Sequence, residues 1–406
     1  MNKTYDVILW GATGFTGRLI AEYLLAQYGV GKDLAWAMAG RNQSKLEKIR
    51  EELGNTDIPL VVADSHDRQL LEAMVKQTKV ICTTVGPYAL HGSLLLEVCV
   101  EQAVDYCDLT GEVQWMRRTI DVHHEKAQEN KVKIVHCCGF DSIPSDMGVF
   151  FLQQEAQKQW QAYAQEVKYR LMGAKGGPSG GTIASLDNVN IEAQKDPKLM
   201  EKVILNPYGL NPRDQQTGKD VPDLRDSAYD EDFQAWIAPF VMAVINTKVV
   251  RRSHALSNYP YGQDFRYEEA THVGAGFFNR IKASITATVT DALFTPGAIL
   301  KRIIDQFLPD PGQGPSKHQR ETGFFKIILL GKSADGKTIK VKVKGDRDPG
   351  YGSTSKMLAE AAVCLAKDRE NLPSNFGVIT PSTAMGASLL HRLQENSGLT
   401  FEVVEG

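Results

Sequence analysis

The sequence predicts an α/β fold in which a doubly wound parallel sheet is followed by an inserted α+β second domain. Six apolar segments of strand type alternate with helical patterns, which is typical of a parallel sheet covered by helices on both faces. Past Pro144 this alternation stops. We expect the six strands at Tyr5–Trp10, Leu34–Ala39, Ile58–Ala63, Lys79–Val85, Val104–Leu109 and Val132–Cys137.

The end of the first strand carries the most informative spacing in the chain, with glycines at 11, 14 and 17 before a helical pattern. In such a unit the first glycine permits the turn, the second lets the backbone approach a pyrophosphate, and the third lets the helix pack on the strand. The spacing differs from the standard G-x-G-x-x-G, and a glycine-rich turn without a ligand is the alternative. We expect a Rossmann-type dinucleotide site formed by Gly11, Thr13, Gly14, Phe15, Thr16 and Gly17.

The end of the second strand distinguishes between the two nicotinamide dinucleotides. An NAD site places a carboxylate there for the ribose hydroxyls, whereas an NADP site has a cation for the 2′-phosphate. Here Gly40 is followed by Arg41 and Asn42, with no carboxylate. The sequence therefore predicts NADP(H), bound by Arg41 with Asn42 or Ser44 as helpers, and the alternative is a solvated loop arginine. Ser44 and Glu47 also have the spacing of a capping box that starts the next helix.

The residues that follow the later strands carry further information, because ligands of doubly wound sheets bind beyond the carboxyl ends of the strands. Asp64 follows the third strand, where we expect it near the adenine. Gly86, Pro87 and Tyr88 follow the fourth strand, where we expect them close to the pyrophosphate and the nicotinamide. The fifth and sixth strands are followed by Asp108–Glu112 and Gly139–Ser142.

Hydride transfer usually also needs a group that exchanges a proton with the substrate. Tyr88 and His91 are candidates because they lie in the loop after the fourth strand. The alternatives are a tyrosine that packs on its neighbours and a histidine that only makes hydrogen bonds. Asp141 and Asp146 are candidates for substrate binding or for helix capping. The sequence alone assigns no catalytic residue.

The chain past residue 145 has no repeating pattern. A polar stretch at 206–232 is typical of a long surface loop or lid, and Ile339, Val341 and Val343 alternate with lysines as in a half-buried strand. We expect a Rossmann domain at 1–145, an α+β substrate or dimerisation domain at 146–350, and C-terminal helices at 351–406 that pack back on the first domain.

Composition narrows the class of protein. With 406 residues, 42% of them hydrophobic and 23% charged, the chain is typical of a globular protein large enough for two cores. A formal net charge of −3 argues against a nucleic-acid partner. The six cysteines have no metal-binding spacing, so we expect no metal and reduced thiols in a cytoplasmic protein. No window has the roughly 18 apolar residues of a membrane span.

The stretch Ala287–Leu308 is rich in bulky apolar residues and is broken by Pro296 and Gly297. Two short amphipathic helices of this kind usually fill a core or a homodimer seam. Alternatively, they border an apolar entrance to the site or make peripheral contact with a membrane, where Lys301 and Arg302 would snorkel beside the apolar face. The sequence leaves these alternatives open.

Several motifs together resemble one family of oxidoreductases. They are the glycine turn with Arg41, Thr84–Tyr88, Tyr106–Glu112, Gly139–Asp146 and, near the C-terminus, Asp348–Thr354. The combination resembles the saccharopine dehydrogenase-like oxidoreductase family, and within it the branch that contains trans-acting enoyl reductases. The resemblance covers nearly the whole chain. It implies a Rossmann domain, an inserted α+β domain and NADP(H), but no particular substrate.

We therefore expect an NADP(H)-dependent oxidoreductase that reduces an enoyl or carbonyl group of a small, lipid-like substrate. One alternative is a saccharopine-type dehydrogenase of an amino-acid conjugate, in which Arg251 and Arg252 would bind substrate carboxylates unless they are merely solvated. The other alternative is a non-catalytic NADPH sensor. The long region after the first domain favours an enzyme, because a sensor needs no enclosed second domain.

Overall fold

The computed structural model describes residues 3–176, 185, 188–189, 191–192, 194–294 and 314–404. These residues form two compact units. The first unit contains the chain up to Ile143, Gly314 and residues 350–398, and the second unit contains the remainder. Within the described ranges, strands are numbered β1–β14, and α-helices of four or more residues are numbered α1–α12 along the chain.

A seven-stranded parallel sheet forms the centre of the first unit. Its strands are β1 (Tyr5–Trp10), β2 (Trp36–Gly40), β3 (Leu60–Val62), β4 (Thr78–Thr83), β5 (Asp105–Cys107), β6 (Lys133–Val135) and β13 (Gly377–Ile379). They lie in the order β3-β2-β1-β4-β5-β6-β13. Val7, Ile8 and Leu9 are fully buried, as expected for a central strand that is covered on both faces. The direction of the strand order reverses between β1 and β4, which marks the ligand crevice of doubly wound sheets. The predicted Rossmann-type sheet is confirmed.

Helices from both ends of the chain surround this sheet. They are α1 (Phe15–Tyr28), α2 (Gln43–Glu52), α3 (Arg68–Val75), α4 (Tyr88–His91), α5 (Ser93–Glu101), α6 (Val113–Glu129), α11 (Thr354–Lys367) and α12 (Pro381–Asn396). The buried Glu360 of α11 accepts hydrogen bonds from the hydroxyls of Tyr23 and Tyr28, both at 2.6 Å. Its other oxygen lies 3.4 Å from Arg392 of α12. This carboxylate therefore joins α1, α11 and α12.

The start of α2 differs from the expected capping box. Asn42 is the N-cap residue, and its side chain accepts a hydrogen bond from the Lys45 amide at 2.9 Å. Ser44 already lies inside the helix, and Glu47 accepts from Gln43 at 2.8 Å. The prediction that Ser44 and Glu47 start the helix is wrong, because the preceding asparagine satisfies the free amides at least as well as a serine.

A mixed seven-stranded sheet forms the centre of the second unit. Its strands are β7 (Glu166–Lys175), β8 (Ala228–Asp230), β9 (Ala235–Pro239), β10 (Arg266–Gly274), β11 (Phe324–Lys332), β12 (Thr338–Gly345) and β14 (Leu399–Val404), in the order β14-β12-β11-β7-β10-β9-β8. Neighbouring strands are antiparallel except for β7 and β10. The helices are α7 (Ile143–Trp160), α8 (Ala243–Leu256), α9 (Phe277–Phe294) and α10 (Lys317–Glu321). Ile339, Val341 and Val343 are buried in β12, as their alternation with lysines predicts.

Neither β13 nor β14 is among the strands expected from the sequence. β13 pairs with β6, which lies far earlier in the chain. β14 pairs with β12, so residues 399–404 belong to the second sheet and not with the C-terminal helices of the expected 351–406 segment. Strand partners this distant in sequence leave no local signal.

Two expected segments are only partly comparable with the structure. The polar stretch 206–232 contains β8 and a 3-10 turn at Arg213–Gln215 in addition to loop. The first eight residues of the apolar stretch Ala287–Leu308 form the end of the helix Phe277–Phe294, while residues 295–308 lie outside the described residues. Among the described residues, all six cysteines are buried and form no disulfide.

Candidate functional site

The turn between β1 and α1 explains why three glycines are needed. Gly11 has φ of +94°, and a Cβ there would lie 2.7 Å from both Thr84 Oγ1 and Val85 Cγ2. A Cβ on Gly17 would overlap the carbonyl oxygen of Gly11, so α1 packs directly on the end of β1. A Cβ on Gly14 would meet only the Gly11 carbonyl, at 3.3 Å. The described residues therefore leave the space in front of Gly14 open to a ligand.

The first turn of α1 has the electrostatics of an anion site. Its N-cap residue, Gly14, has no side chain that could cap the helix, and no acidic residue lies in its first turn. The Gly14 amide donates to the Gly11 carbonyl at 3.0 Å, which holds the turn closed behind the helix. Because a helix N-terminus carries partial positive charge and unpaired amides, this geometry fits a pyrophosphate.

The other residues expected in the turn surround this opening. Thr13 is exposed, and its methyl group would lie 3.8 Å from a Cβ on Gly40, at the end of β2. Phe15 and Thr16 are partly exposed. The Phe15 ring packs edge-on against Tyr351, with centroids 4.7 Å apart. The aromatic side chain thus contacts the start of the C-terminal segment.

The end of β2 presents Arg41 with no carboxylate beside it in the chain. Arg41 is exposed. The pKa of Asp64 is lowered mainly by a hydrogen bond from the His66 amide, and the charge of Arg41 lowers it further. That bond is 2.9 Å long. Asn42 is committed to the N-cap of α2. Arg41 is therefore the side chain in this group that is best placed to meet a 2′-phosphate, and Asp64 lies within its field.

His91 lies with this group and not with the later strands. Its ring packs edge-on against His66, with centroids 5.6 Å apart. Burial lowers the pKa of His91, and the charges of His66 and Arg41 lower it further against the opposing charge of Asp64. The half of the sheet formed by β1–β3 binds the adenosine part in doubly wound folds. This position favours a role beside the adenosine phosphate over proton donation at the nicotinamide.

Tyr88 is buried, and its hydroxyl is turned into the protein. The hydroxyl donates to the Thr83 carbonyl at 3.2 Å and accepts from the Leu109 amide at 3.4 Å. The ring stacks on Trp115, with centroids 5.5 Å apart. Burial, followed by the charge of Asp108, raises the pKa of Tyr88 well above its usual value. A hydroxyl held in this way is a poor proton donor, so the geometry favours packing.

A carboxylate that the sequence left without a role holds the loop after β4. Glu112 is fully buried and accepts hydrogen bonds from the amides of Tyr88 at 2.7 Å and Ala89 at 2.9 Å. It therefore caps α4 and fixes the Gly86–Pro87 segment immediately before it. The one available signal was an acidic residue in the run that follows β5.

A second buried network joins the ends of β5 and β6. Asp108 accepts from the Tyr106 hydroxyl at 2.9 Å and from the Thr110 amide at 3.0 Å. His136 Nδ1 lies 2.8 Å from Asp108 Oδ2, and its Nε2 lies 3.0 Å from Thr119 Oγ1. These groups are at most 3% exposed. The network stabilises the ends of β5 and β6, and among the described residues no part of it is open to solvent.

Asp141 lies in the turn directly after this network. It is partly exposed, and it makes no hydrogen bond or ion pair with any residue that the structure describes. The turn is held by the neighbouring Phe140 amide, which donates to Thr354 Oγ1 at 3.0 Å. Burial and the charge of Asp108 raise the pKa of Asp141 to about 7. This carboxyl is therefore able to exchange a proton near neutral pH.

The second unit places the remaining candidates in structural roles. Asp146 accepts from Ser253 at 2.5 Å. Arg251 donates to Asp220 at 2.8 Å and to the Tyr267 carbonyl at 2.9 Å. Arg252 donates to the Leu210 carbonyl, and both arginines are at most 3% exposed. They are therefore neither solvated nor open to substrate carboxylates.

Comparisons with known proteins agree with the geometry of the first unit. Residues 7–135 match the family model described as the saccharopine dehydrogenase NADP binding domain. A putative trans-acting enoyl reductase of Mycobacterium tuberculosis is 37% identical over 408 residues, covering 96% of each chain. A trans-acting enoyl reductase of Mycobacterium ulcerans is 34% identical, covering 97% of this chain and 96% of the relative.

A solved structure shows the same fold. The apo, histidine-tagged saccharopine dehydrogenase (L-Glu forming) from Saccharomyces cerevisiae aligns over 99% of this chain and 100% of its own, with a TM-score of 0.53. Because the two sequences are 11% identical, this likeness concerns the fold alone. The glycine turn, the arginine at the end of β2 and the whole-length relatives lead to one conclusion. The chain belongs to the saccharopine dehydrogenase-like family of NADP-dependent oxidoreductases.

Proposed function

We propose that this protein uses NADPH to reduce an enoyl or carbonyl group of an apolar, lipid-like acceptor. The observation that carries the proposal is the similarity over 96% of the chain to relatives that are named trans-acting enoyl reductase, at 37% and 34% identity. NADPH, when bound, supplies the hydride for such a reduction. The chain supplies the phosphate site, the shape around the acceptor and a proton.

The cofactor side of the proposal is supported by two features of the first unit. The open space at Gly14 before the uncapped N-terminus of α1 suits the pyrophosphate. The exposed Arg41 suits the 2′-phosphate that distinguishes NADPH from NADH. Both features bind and orient the cofactor and take no part in bond making.

The contacts of the two arginines in α8 support an apolar acceptor. A saccharopine-type substrate carries carboxylates, which need cationic partners. Arg251 is already paired with Asp220, and Arg252 with the Leu210 carbonyl. Removing Arg251 from this buried pair would leave Asp220 uncompensated, at a cost of several kcal/mol. An apolar acceptor has no carboxylate and therefore needs no free arginine.

We propose Asp141 as the group that supplies the proton. The hydride adds to one end of the double bond, and the electron pair moves to the other end, which must then take up a proton. Asp141 lies at the carboxyl edge of the sheet, is partly exposed and has no competing partner among the described residues. In its acid form it gives up the proton, becomes a carboxylate and regains a proton from solvent.

The first test is an assay of NADPH oxidation with medium- and long-chain enones or enoyl thioesters. A parallel assay of NADP⁺ reduction with saccharopine tests the alternative substrate. We expect turnover of the apolar acceptors alone. Gly14→Val serves as the control that cannot bind cofactor. Turnover of saccharopine with none of an apolar acceptor would reverse the proposal. No turnover of either, with tight NADPH binding, would favour the NADPH sensor.

A further inference from the structure

The helix α9 presents bulky apolar side chains to solvent. The exposed fractions are 68% for Phe277, 85% for Phe278, 44% for Ile281, 60% for Ile285 and 38% for Val289. At about 100° per residue these five positions share one side of the helix, so they form a continuous stripe. We call these five residues the α9 stripe. Such a patch is uncommon on the surface of a globular monomer.

The opposite side of α9 attaches the helix to the second unit through small residues. Ala283 is fully buried, and Ala287 is 5% exposed. At the Phe277 edge of the stripe, the exposed Ser284 makes a hydrogen bond of 3.0 Å with Ser227. An ordinary amphipathic surface helix buries its large apolar residues and exposes its polar ones. In α9 the large residues face outward, which indicates that the stripe has a use outside the unit's own core.

Basic and amphipathic side chains border the α9 stripe. Lys282 and Arg280 are exposed and lie on its two edges, whereas the helix has a single acidic residue, Asp291, near its C-terminal end. The Arg280 guanidinium lies over the ring of Trp236, 5.1 Å from its centroid. Trp236 in turn packs edge-on against Tyr229, with centroids 5.5 Å apart. Cations beside apolar groups, with tryptophan and tyrosine close by, suit the boundary between lipid headgroups and acyl chains.

We propose that the α9 stripe docks this protein on the surface of an anionic lipid bilayer. Phe277, Phe278, Ile281, Ile285 and Val289 would enter the acyl boundary, and Arg280 and Lys282 would meet anionic headgroups. None of the described helices is long and apolar enough to cross a membrane, so α9 lies in the interface and does not span it. A second copy of the chain fits less well, because it would add its own two cations to the same small contact. The proposal does not depend on the reaction proposed above.

The test is co-sedimentation with vesicles of phosphatidylglycerol and, separately, of phosphatidylcholine. The variant Phe278→Asp/Ile285→Asp places two charges in the stripe, and Val122→Asp in α6, 69% exposed in the wild type, is the matched control. We expect the wild type and the control to bind phosphatidylglycerol vesicles, and the double variant to lose about tenfold or more in affinity. Equal binding by the double variant, or equal binding of the wild type to both lipids, would overturn the proposal.

Sedimentation velocity without lipid tests the second copy as occupant. If the wild type binds no vesicles, the proposal is wrong, and a dimer that the double substitution separates would then identify the stripe as a dimer interface. Thermal unfolding checks that the double variant is folded, as its exposed positions suggest. Turnover of a medium-chain enone without vesicles is expected to be the same for the double variant and the wild type. Failure to dock is thereby distinguished from failure of the proposed reaction.

Discussion

The glycine turn after β1 and the loop after β4 lie at the same edge of the parallel sheet, but they are built differently. The turn needs only its own residues, since Gly11, Gly14 and Gly17 set both its shape and its open space. The loop is held by Glu112, which lies 24 residues beyond Tyr88. The proposed phosphate site is therefore encoded locally, whereas the loop that we expect near the nicotinamide depends on distant contacts. Substitutions in the two regions are expected to fail in different ways.

The largest effect is expected for Gly14→Val, in the local region. The valine side chain would occupy the space before α1 that the pyrophosphate needs. We expect NADPH binding to be abolished while the thermal unfolding temperature stays close to that of the wild type. Gly173→Val is the matched control, because a Cβ there meets only Phe324, at 3.8 Å. Normal NADPH binding in a fluorescence titration of Gly14→Val would place the dinucleotide elsewhere.

A large kinetic effect is expected for Asp141→Asn, in the region that depends on distant contacts. We expect turnover to fall by about 10²-fold or more, with little change in NADPH affinity. Because the acid form is the donor and its pKa is about 7, wild-type kcat/KM should fall as the pH rises through that value. The variant should lack this fall. Asp67→Asn, which keeps the N-cap of α3, is the control.

If Asp141 has a purely structural role, Asp141→Asn should change the stability of the protein but not its turnover. The pKa of Asp141 is raised in the folded state, so its ionisation disfavours the fold, and this loss of stability develops as the pH rises from the usual carboxyl range to about 7. Asparagine does not ionise, and the variant should be relatively more stable at pH values above that window. A variant with this stability profile and with unchanged turnover would remove Asp141 from the reaction.

A moderate loss of stability is expected for Glu112→Gln. The amide would leave one of the two α4 amides without its acceptor, at a cost of about 1–3 kcal/mol in the free energy of unfolding. Chemical denaturation measures this difference. Glu395→Gln, on the exposed end of α12, is the control and should change stability little. If both variants unfold alike, Glu112 does not hold the loop.

The smallest effect is expected for Arg41→Ala, because it concerns one phosphate group. The wild type should bind NADPH about tenfold or more tightly than NADH, equivalent to about 1.4 kcal/mol. The substitution should remove most of this preference and leave NADH affinity nearly unchanged. Lys48→Ala in α2 removes a neighbouring surface cation as a control. Equal affinities of the wild type for both cofactors would contradict the role of Arg41.

The parts of the fold that were predicted from sequence are those with local signals. The strand–turn–helix spacing at Gly11–Gly17 and the absence of a carboxylate beside Arg41 predicted the fold class and the cofactor. Ser44 was predicted as the N-cap of α2 because it has the capping-box spacing with Glu47. In the structure Asn42, two residues earlier, is the N-cap residue. β14 was missed because its partner β12 lies more than 50 residues earlier in the chain.

The proposed proton donor could not be assigned from the sequence for a physical reason. Tyr88 and His91 have suitable side chains at a suitable place in the chain, yet the Tyr88 hydroxyl is held by two backbone groups and the His91 ring lies beside His66. What makes Asp141 a candidate is its raised pKa, caused by partial burial and by the charge of Asp108, which lies in a different strand-end run. Residue type and spacing carry no information on burial of that kind. The same holds for the outward face of α9.

The most direct measurement of the central claim follows the hydride itself. The protein is incubated with NADPH that carries two deuterium atoms at the nicotinamide C4 and with a long-chain enoyl thioester, and the product is analysed by mass spectrometry. Using both C4 positions removes any dependence on which face of the ring reacts. We expect one deuterium in the saturated product, and none when Gly14→Val replaces the wild type. An acceptor recovered unreduced and unlabelled from wild-type protein that binds NADPH, together with turnover of saccharopine, would contradict the account.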